Sequence, residues 1–105
     1  MTVVRVRYFG KLRELVGVKN EEYTVKEGTT LADLLLSCIP ERHLETSKTW
    51  AESLFRTVKG EIARNKDGTP VLDNYLIIIN GKSAKLNDRL KEDDEVAVMP
   101  PFGGG

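Results

Sequence analysis

Strand-patterned segments stand at both ends of this chain, and helix-patterned segments fill its middle. Near the start, "TVVRVRYF" puts Val4, Val6 and Tyr8 on one face and Arg5 and Arg7 on the other. A period of two marks a strand with one face buried. Near the end, Glu95 to Met99 read as another strand, and Pro100 and Pro101 follow at once. Proline has no N–H to give a sheet ladder, so the pair ends the strand and stiffens its exit. Strands at both ends with helices between them predict an α+β domain: a mixed sheet of four to five strands with helices packed on one face.

The connecting segments fill in this outline. "GKLRELVGV" reads as a short helical turn or loop closed by Gly17, and "EEYTVKEG" as a second strand ending at Gly28 that pairs with the first as an antiparallel hairpin. "TTLADLLLSCIP" is the clearest helix. Thr30 and Asp33 have capping-box spacing, Leu31, Leu34, Leu35 and Cys38 share a face, and Pro40 is expected to stop it. "SKTWAESLFRTVKG" predicts a second helix, with Thr49 and Glu52 at its start, an apolar face of Trp50, Leu54, Phe55 and Val58, and Gly60 at its exit. Asp67-Gly68 signals a turn and leaves the preceding "EIARN" open between helix and strand. "NYLIIINGK" reads as a fully buried strand, Leu76 to Ile79, closed by an Asn-Gly hairpin turn.

Composition narrows the function classes. The 105 residues suit one domain, and Lys+Arg and Asp+Glu both count 16, so bulk electrostatic binding of nucleic acid is not expected. The apolar runs are too short to span a bilayer and the N-terminus lacks a signal-peptide core, which points to a cytoplasmic chain with no membrane partner. With one Cys and one His, neither a disulfide nor a zinc-type cluster is expected. Cys38 reads as a small core residue. His43, lacking a partner Cys, Ser or second His, reads as a surface residue. Arg5, Arg7, Lys11 and Arg13 read as ordinary surface charges. The run "KEDDE" reads either as a solvated turn or as a face for basic residues of a partner.

The last residues are "PPFGGG". Glycine orders poorly unless something holds it, so the run is a frayed end, a cloning remnant, or a slender tail whose terminal carboxylate is itself the reactive group. The rest of the chain decides between them. "YFGKLRELVG", "LIIINGK" and above all "LKEDDEVAVMPPFGGG" together resemble the MoaD/ThiS-like sulfur carriers, the family of the molybdopterin synthase small subunit. Leu90, Asp94, Glu95, Val96, Ala97, Pro100, Pro101, Gly104 and Gly105 fall at the family's places. Gly103 stands where the family often has Ala, Ser or Thr, and Phe102 where it has Val. The stretch from about 40 to 74 is longer than in compact bacterial members and resembles the archaeal-type form.

The resemblance implies a ubiquitin-like β-grasp domain over residues 1–99, with a helical and loop insertion at about 40–74, and a reactive tail at 100–105. It implies that an E1-like enzyme of the MoeB/ThiF type adenylates the carboxylate of Gly105 with ATP, and that a persulfide donor converts the adenylate to a thiocarboxylate. Sulfur then passes to the molybdopterin precursor in a complex with a larger, MoaE-type subunit. The chain itself holds no cofactor and no catalytic centre on this reading. Gly103 and Gly104 would thread a narrow channel, Pro101 would project the tail, and Phe102 would either anchor the channel mouth or fold back on the chain's own core. Three alternatives stay open: conjugation to lysines through Gly104-Gly105, sulfur delivery to tRNA or thiazole, and a plain interaction domain. Gly105 is taken as the natural end.

Overall fold

The computed structural model describes residues 1–100. Alternation sets the first strand as expected: β1 (Thr2–Tyr8) buries Val4, Val6 and Tyr8 and exposes Arg5 and Arg7. Helix α1 (Gly10–Val16) follows, closed by Gly17 at φ 82°, whose N–H donates to the Arg13 carbonyl. Strand β2 (Asn20–Val25) then returns antiparallel to β1. The helical region comprises α2 (Leu31–Asp33), α3 (Ile39–Arg42) and α4 (Ser47–Leu54). Short strands β3 (Thr57–Val58) and β4 (Glu61–Ile62) form a separate hairpin. β5 (Leu76–Ile79), β6 (Lys82–Ser83) and β7 (Glu95–Met99) complete the main sheet.

The sheet runs β2-β1-β7-β5-β6, with β1 and β7 parallel and the other neighbours antiparallel. One face is covered. There Val4, Val6, Tyr23, Val25, Ile77, Val96 and Val98 meet Leu31, Leu34, Leu35, Ile39, Trp50 and Leu54 from the helical region, joined by Leu12 and Val16 of α1. Among the described residues no helix covers the opposite face. That is why β5 departs from the expectation of a fully buried strand: Ile77 points into the core and Ile79 packs half-buried at its margin, while Leu76, 37% exposed, and half-buried Ile78 lie on the open side. Asn80 and Gly81, both at positive φ, make the expected hairpin turn into β6.

Thr30 caps α2 as its spacing indicates. Its hydroxyl accepts from the Asp33 N–H at 3.2 Å, and its own N–H donates to Asp33 Oδ2 at 3.1 Å. Pro40, however, does not end the helical path. The chain widens into a π turn over Leu34–Cys38, where the Ile39 N–H donates to the Leu34 carbonyl five residues back, and then continues as α3 through Pro40 to Arg42. The wider turn accommodates a residue with no N–H and a bulky ring. It also strands an acceptor: the Leu35 carbonyl gets nothing from Ile39, which is committed to Leu34, or from Pro40, which has no hydrogen. Trp50 fills the gap, donating from Nε1 to the Leu35 carbonyl at 2.9 Å in the core. Cys38, at the end of the π turn, is half-buried against the core, and burial, then Glu41 and Asp33, push its thiol pKa up.

The second helix is shorter than expected. Thr49 lies inside α4 and not at its cap, and the helix ends at Leu54, where Phe55 turns extended and stays buried. Val58 is therefore on the β3–β4 hairpin, 59% exposed, and not on a helical face. Lys59 and Gly60, at φ 55° and 83°, turn that hairpin, and "EIARN" begins as strand β4. Two glycine-compatible dihedrals in a row favour a tight hairpin over a helix exit.

Replacing Trp50 by Phe removes the donor that meets the Leu35 carbonyl and also part of the ring that fills the core. Leaving the buried carbonyl unsatisfied is expected to add about 1–3 kcal/mol to the packing cost of the smaller ring, read as lost unfolding free energy in urea titration. A total loss below about 1 kcal/mol would mean that the bond contributes nothing.

Candidate functional site

Pro101, Phe102, Gly103, Gly104 and Gly105, the residues that the sequence singles out, lie outside the described residues. The structure fixes the place from which they depart. β7 lies between β1 and β5 in the middle of the sheet, with Val98 beside Tyr8 and Met99 beside Leu76. Pro100, exposed, follows Met99 at that point. Gly10, at φ +59°, closes in from the β1 side: a Cβ there would stand 3.6 Å from Pro100 Cγ. Glycine suits this position for its dihedral, which L side chains rarely adopt, and it lets the end of β1 lie close under the root of the tail.

The open sheet face leads to the same point. Leu76 pairs with Met99 and Ile78 with Ala97, so four apolar side chains line β5 and β7 up to Pro100. Arg7, opposite Ala97 on β1, borders them. Its guanidinium donates to Glu95 Oε1 at 3.1 Å and lies 5.7 Å from the centre of the Phe9 ring. Arg7 is therefore part of this face and not a detached surface charge. Arg5 stands 3.7 Å from Glu22, exposed on both sides.

The acidic run sits at the other end of β7 from the tail and works mainly inward. Glu92 accepts the Val3 N–H at 2.9 Å. Asp94 is buried and accepts from Asn80 Nδ2 and the Lys91 N–H, both at 2.8 Å. Glu95 is engaged with Arg7. These carboxylates clasp the β5–β6 hairpin and β1 to the last strand.

A polar cluster that the sequence did not disclose lies on the covered side. Glu21 Oε1 accepts from Tyr8 Oη at 2.8 Å, from Tyr23 Oη at 3.0 Å and pairs with His43 Nε2 at 2.8 Å. Arg42 stands 3.7 Å from Glu21 Oε2, stacks on the Tyr23 ring at 3.8 Å and donates to the Glu22 carbonyl. His43 is thus not a surface residue: its side chain is 18% exposed and tied to Glu21. The signal was the strand period, because Glu21 falls in the same phase as the buried Tyr23 and Val25, and a carboxylate pointed inward needs partners. Burial works to raise the Glu21 pKa, but hydrogen bonds from His43, Tyr8 and Tyr23 outweigh it and hold the carboxyl below its ordinary value. Burial raises the Tyr8 phenol far above its usual range and lifts Tyr23 to about 12. With the phenols neutral and the carboxylate bonded by three partners, the cluster is a clasp between the sheet and the end of α3. Among the described residues no group of three His, Cys, Asp or Glu could hold a metal ion, and no helix is long and apolar enough to cross a membrane.

Comparison with known proteins places this geometry. A family model described as the ThiS family matches residues 6–105. A Chlamydomonas reinhardtii protein named molybdopterin synthase sulfur carrier subunit is 28% identical over 97% of this chain and 98% of its own length. Among solved structures, a Pyrococcus furiosus protein assigned as molybdopterin converting factor subunit 1 is 29% identical, with a TM-score of 0.68 over 97% of this chain and 100% of that one. SAMP1 from Haloferax volcanii is 25% identical, with a TM-score of 0.65 over 98% and 99%. The mixed five-stranded sheet with helices on one face is the ubiquitin-like β-grasp fold that the sequence resemblance implied.

The clasp makes a pH prediction. A carboxyl held below its ordinary value of 4.5 stabilises the fold above that pH and loses the contribution as pH falls through its folded-state value. Glu21→Gln is expected to lower stability near neutrality by about 1.5–3 kcal/mol, the worth of charge-assisted hydrogen bonds. Melting temperatures followed from pH 7 to pH 3 should show a shallower acid loss in the variant than in the parent chain. Equal slopes would assign the acid sensitivity elsewhere.

Proposed function

This chain belongs to the ThiS family, and on that premise we propose that it is a sulfur carrier that works through the carboxylate of Gly105 in molybdopterin biosynthesis. The observation that carries the reading is the reach of the family match, which runs to residue 105 and so takes in the Gly-Gly end. The Chlamydomonas relative, aligned over nearly all of both chains, carries the name of such a carrier. The structure supports it physically, since the tail is rooted in the middle of the sheet beside an open apolar face that a partner can cover.

The chemistry follows from the weakness of a carboxylate as an acyl donor. In an E1-like adenylating enzyme, a Gly105 carboxylate oxygen attacks the α-phosphorus of ATP, and pyrophosphate leaves. The mixed anhydride makes AMP the leaving group, and the terminal sulfur of a persulfide displaces it to give an acyl disulfide. A partner thiol then attacks the donor's sulfur, forming a disulfide with it and releasing the thiocarboxylate on Gly105. A larger molybdopterin synthase subunit then takes the charged tail. ATP and the reacting groups of the other steps belong to those partners; this chain supplies the carboxylate, a slender tail and the face that docks. Gly103 and Gly104 keep the tail narrow, Pro101 continues the stiff exit begun by Pro100, and Phe102 anchors at the channel mouth. On the same reading residues 1–99 are the β-grasp domain, with about 40–74 inserted, and the chain is cytoplasmic.

A second reading, attachment to lysines of other proteins through Gly104-Gly105, draws support from the likeness to SAMP1. Both readings need adenylation and separate only at the acceptor.

Incubating the full chain with the adenylating enzyme of its host and ATP should release pyrophosphate. Deleting Gly105 displaces the carboxylate by a residue and is expected to slow that release by on the order of 10²-fold or more, since a misplacement of about 1 Å can already cost that much. Undiminished release from the deletion variant would remove the carrier and modifier readings together.

A further inference from the structure

The open face of the sheet holds a hollow of about 340 Å³ bounded by Arg7, Ile78, Asn80, Gly81, Glu95 and Ala97. Its apolar groups are Ile78 and Ala97, cross-strand neighbours on β5 and β7. One side carries the Arg7–Glu95 pair, at 3.1 Å with side chains 53% and 48% exposed. The other side is the Asn80-Gly81 turn. Asn80 holds that turn in place, because its Oδ1 accepts the Glu95 N–H at 2.9 Å and its Nδ2 donates to Asp94. The same residue thus fixes the turn and the backbone of Glu95. The hollow is formed by bonds internal to the chain.

We infer that this hollow receives one uncharged apolar side chain, aliphatic or aromatic, from the adenylating partner, and that the Arg7–Glu95 pair is its specificity-determining wall. The inference rests on the carrier reading above. Ala97 precedes Pro100 by three residues of β7, about 10 Å at the usual strand rise, so a partner gripping the tail reaches the hollow with the same surface. The apolar groups reward burial of a side chain in proportion to the area covered. The wall offers neither sign of charge a net gain. A partner carboxylate drawn to Arg7 meets Glu95 beside it, and a partner ammonium drawn to Glu95 meets Arg7. Farther along the same face, Arg5 of β1 and Glu22 of β2 also pair, at 3.7 Å. Covering a paired Arg and Glu also costs far less than covering either charge alone.

The test is steady-state adenylation by the host's adenylating enzyme with saturating ATP, varying the concentration of the full chain. The parent is compared with Arg7→Gln, Glu95→Gln and the double variant, each checked by thermal melting. Each single variant leaves one charge to be desolvated on docking. Each is expected to raise KM several-fold with kcat unchanged, and the double variant is expected to return toward the parent value. Ala97→Gln, which fills the hollow, should raise KM as well. Two results would overturn the inference: unchanged KM in all four variants, or a rise for Arg7→Gln that Glu95→Gln does not share and the double variant does not relieve. The latter would mean that the partner brings its own carboxylate to Arg7. A parent chain that is not adenylated at all would instead sink the carrier reading, before any variant is compared.

Discussion

The parallel pairing of the first strand with the last is the contact on which the molecule depends. Arg5 lies beside Glu95 and Tyr8 beside Val98, so residues about 90 apart in sequence form the centre of the sheet. Val4, Val6, Val96 and Val98 from these two strands are fully buried and give the helical region its floor. The same pairing decides where the chain leaves the domain. Because β7 is flanked by β1 and β5, Pro100 emerges in the middle of the sheet edge, against Gly10, and not from a peripheral strand. A terminus that starts from a central strand has a root held on both sides. Restricting that root reduces the ordering cost when the tail is gripped by a partner.

Division of labour between the two faces follows from the one-sided sheet. The covered face carries the core and the clasp centred on Glu21, which ties β1 and β2 to the end of α3 through His43 and Arg42. Among the described residues the open face carries no such internal roof. There Leu76, Ile78, Ala97 and Met99 run toward the tail, and the charges beside them are already paired within the chain. Such a face can be covered by another protein without stranding a charge. On the carrier reading proposed above, this combination of a stiff body and a strip whose charges are paired suits a chain that is gripped by its tail.

Much of this was legible in the sequence. The two-residue period of β1, the Thr30–Asp33 box, the Asn80-Gly81 turn and the proline stop of β7 all act locally, and local signals survive tertiary packing. Features that depend on distant partners were not legible. Pro40 reads as a helix stop until Trp50, ten residues on, is seen to satisfy the carbonyl that the π turn leaves over. His43 reads as a surface residue until Glu21, on another element, is placed beside it. The run "LIII" reads as wholly buried because hydrophobicity alone does not say that one face of the sheet is left open. Val58 reads as part of a helical face because Lys59-Gly60 can serve either a helix exit or a hairpin, and Phe55 turns extended and buried ahead of the hairpin that forms.

The central claim is that the carboxylate of Gly105 becomes a thiocarboxylate. Intact mass spectrometry of the protein purified gently from its native host tests it most directly. A population heavier by the exchange of one oxygen for sulfur, and absent when Gly105 is deleted, is expected. Its absence, with the chain recovered instead on lysines of other proteins through a Gly-Gly linkage, would contradict sulfur transfer and establish a modifier.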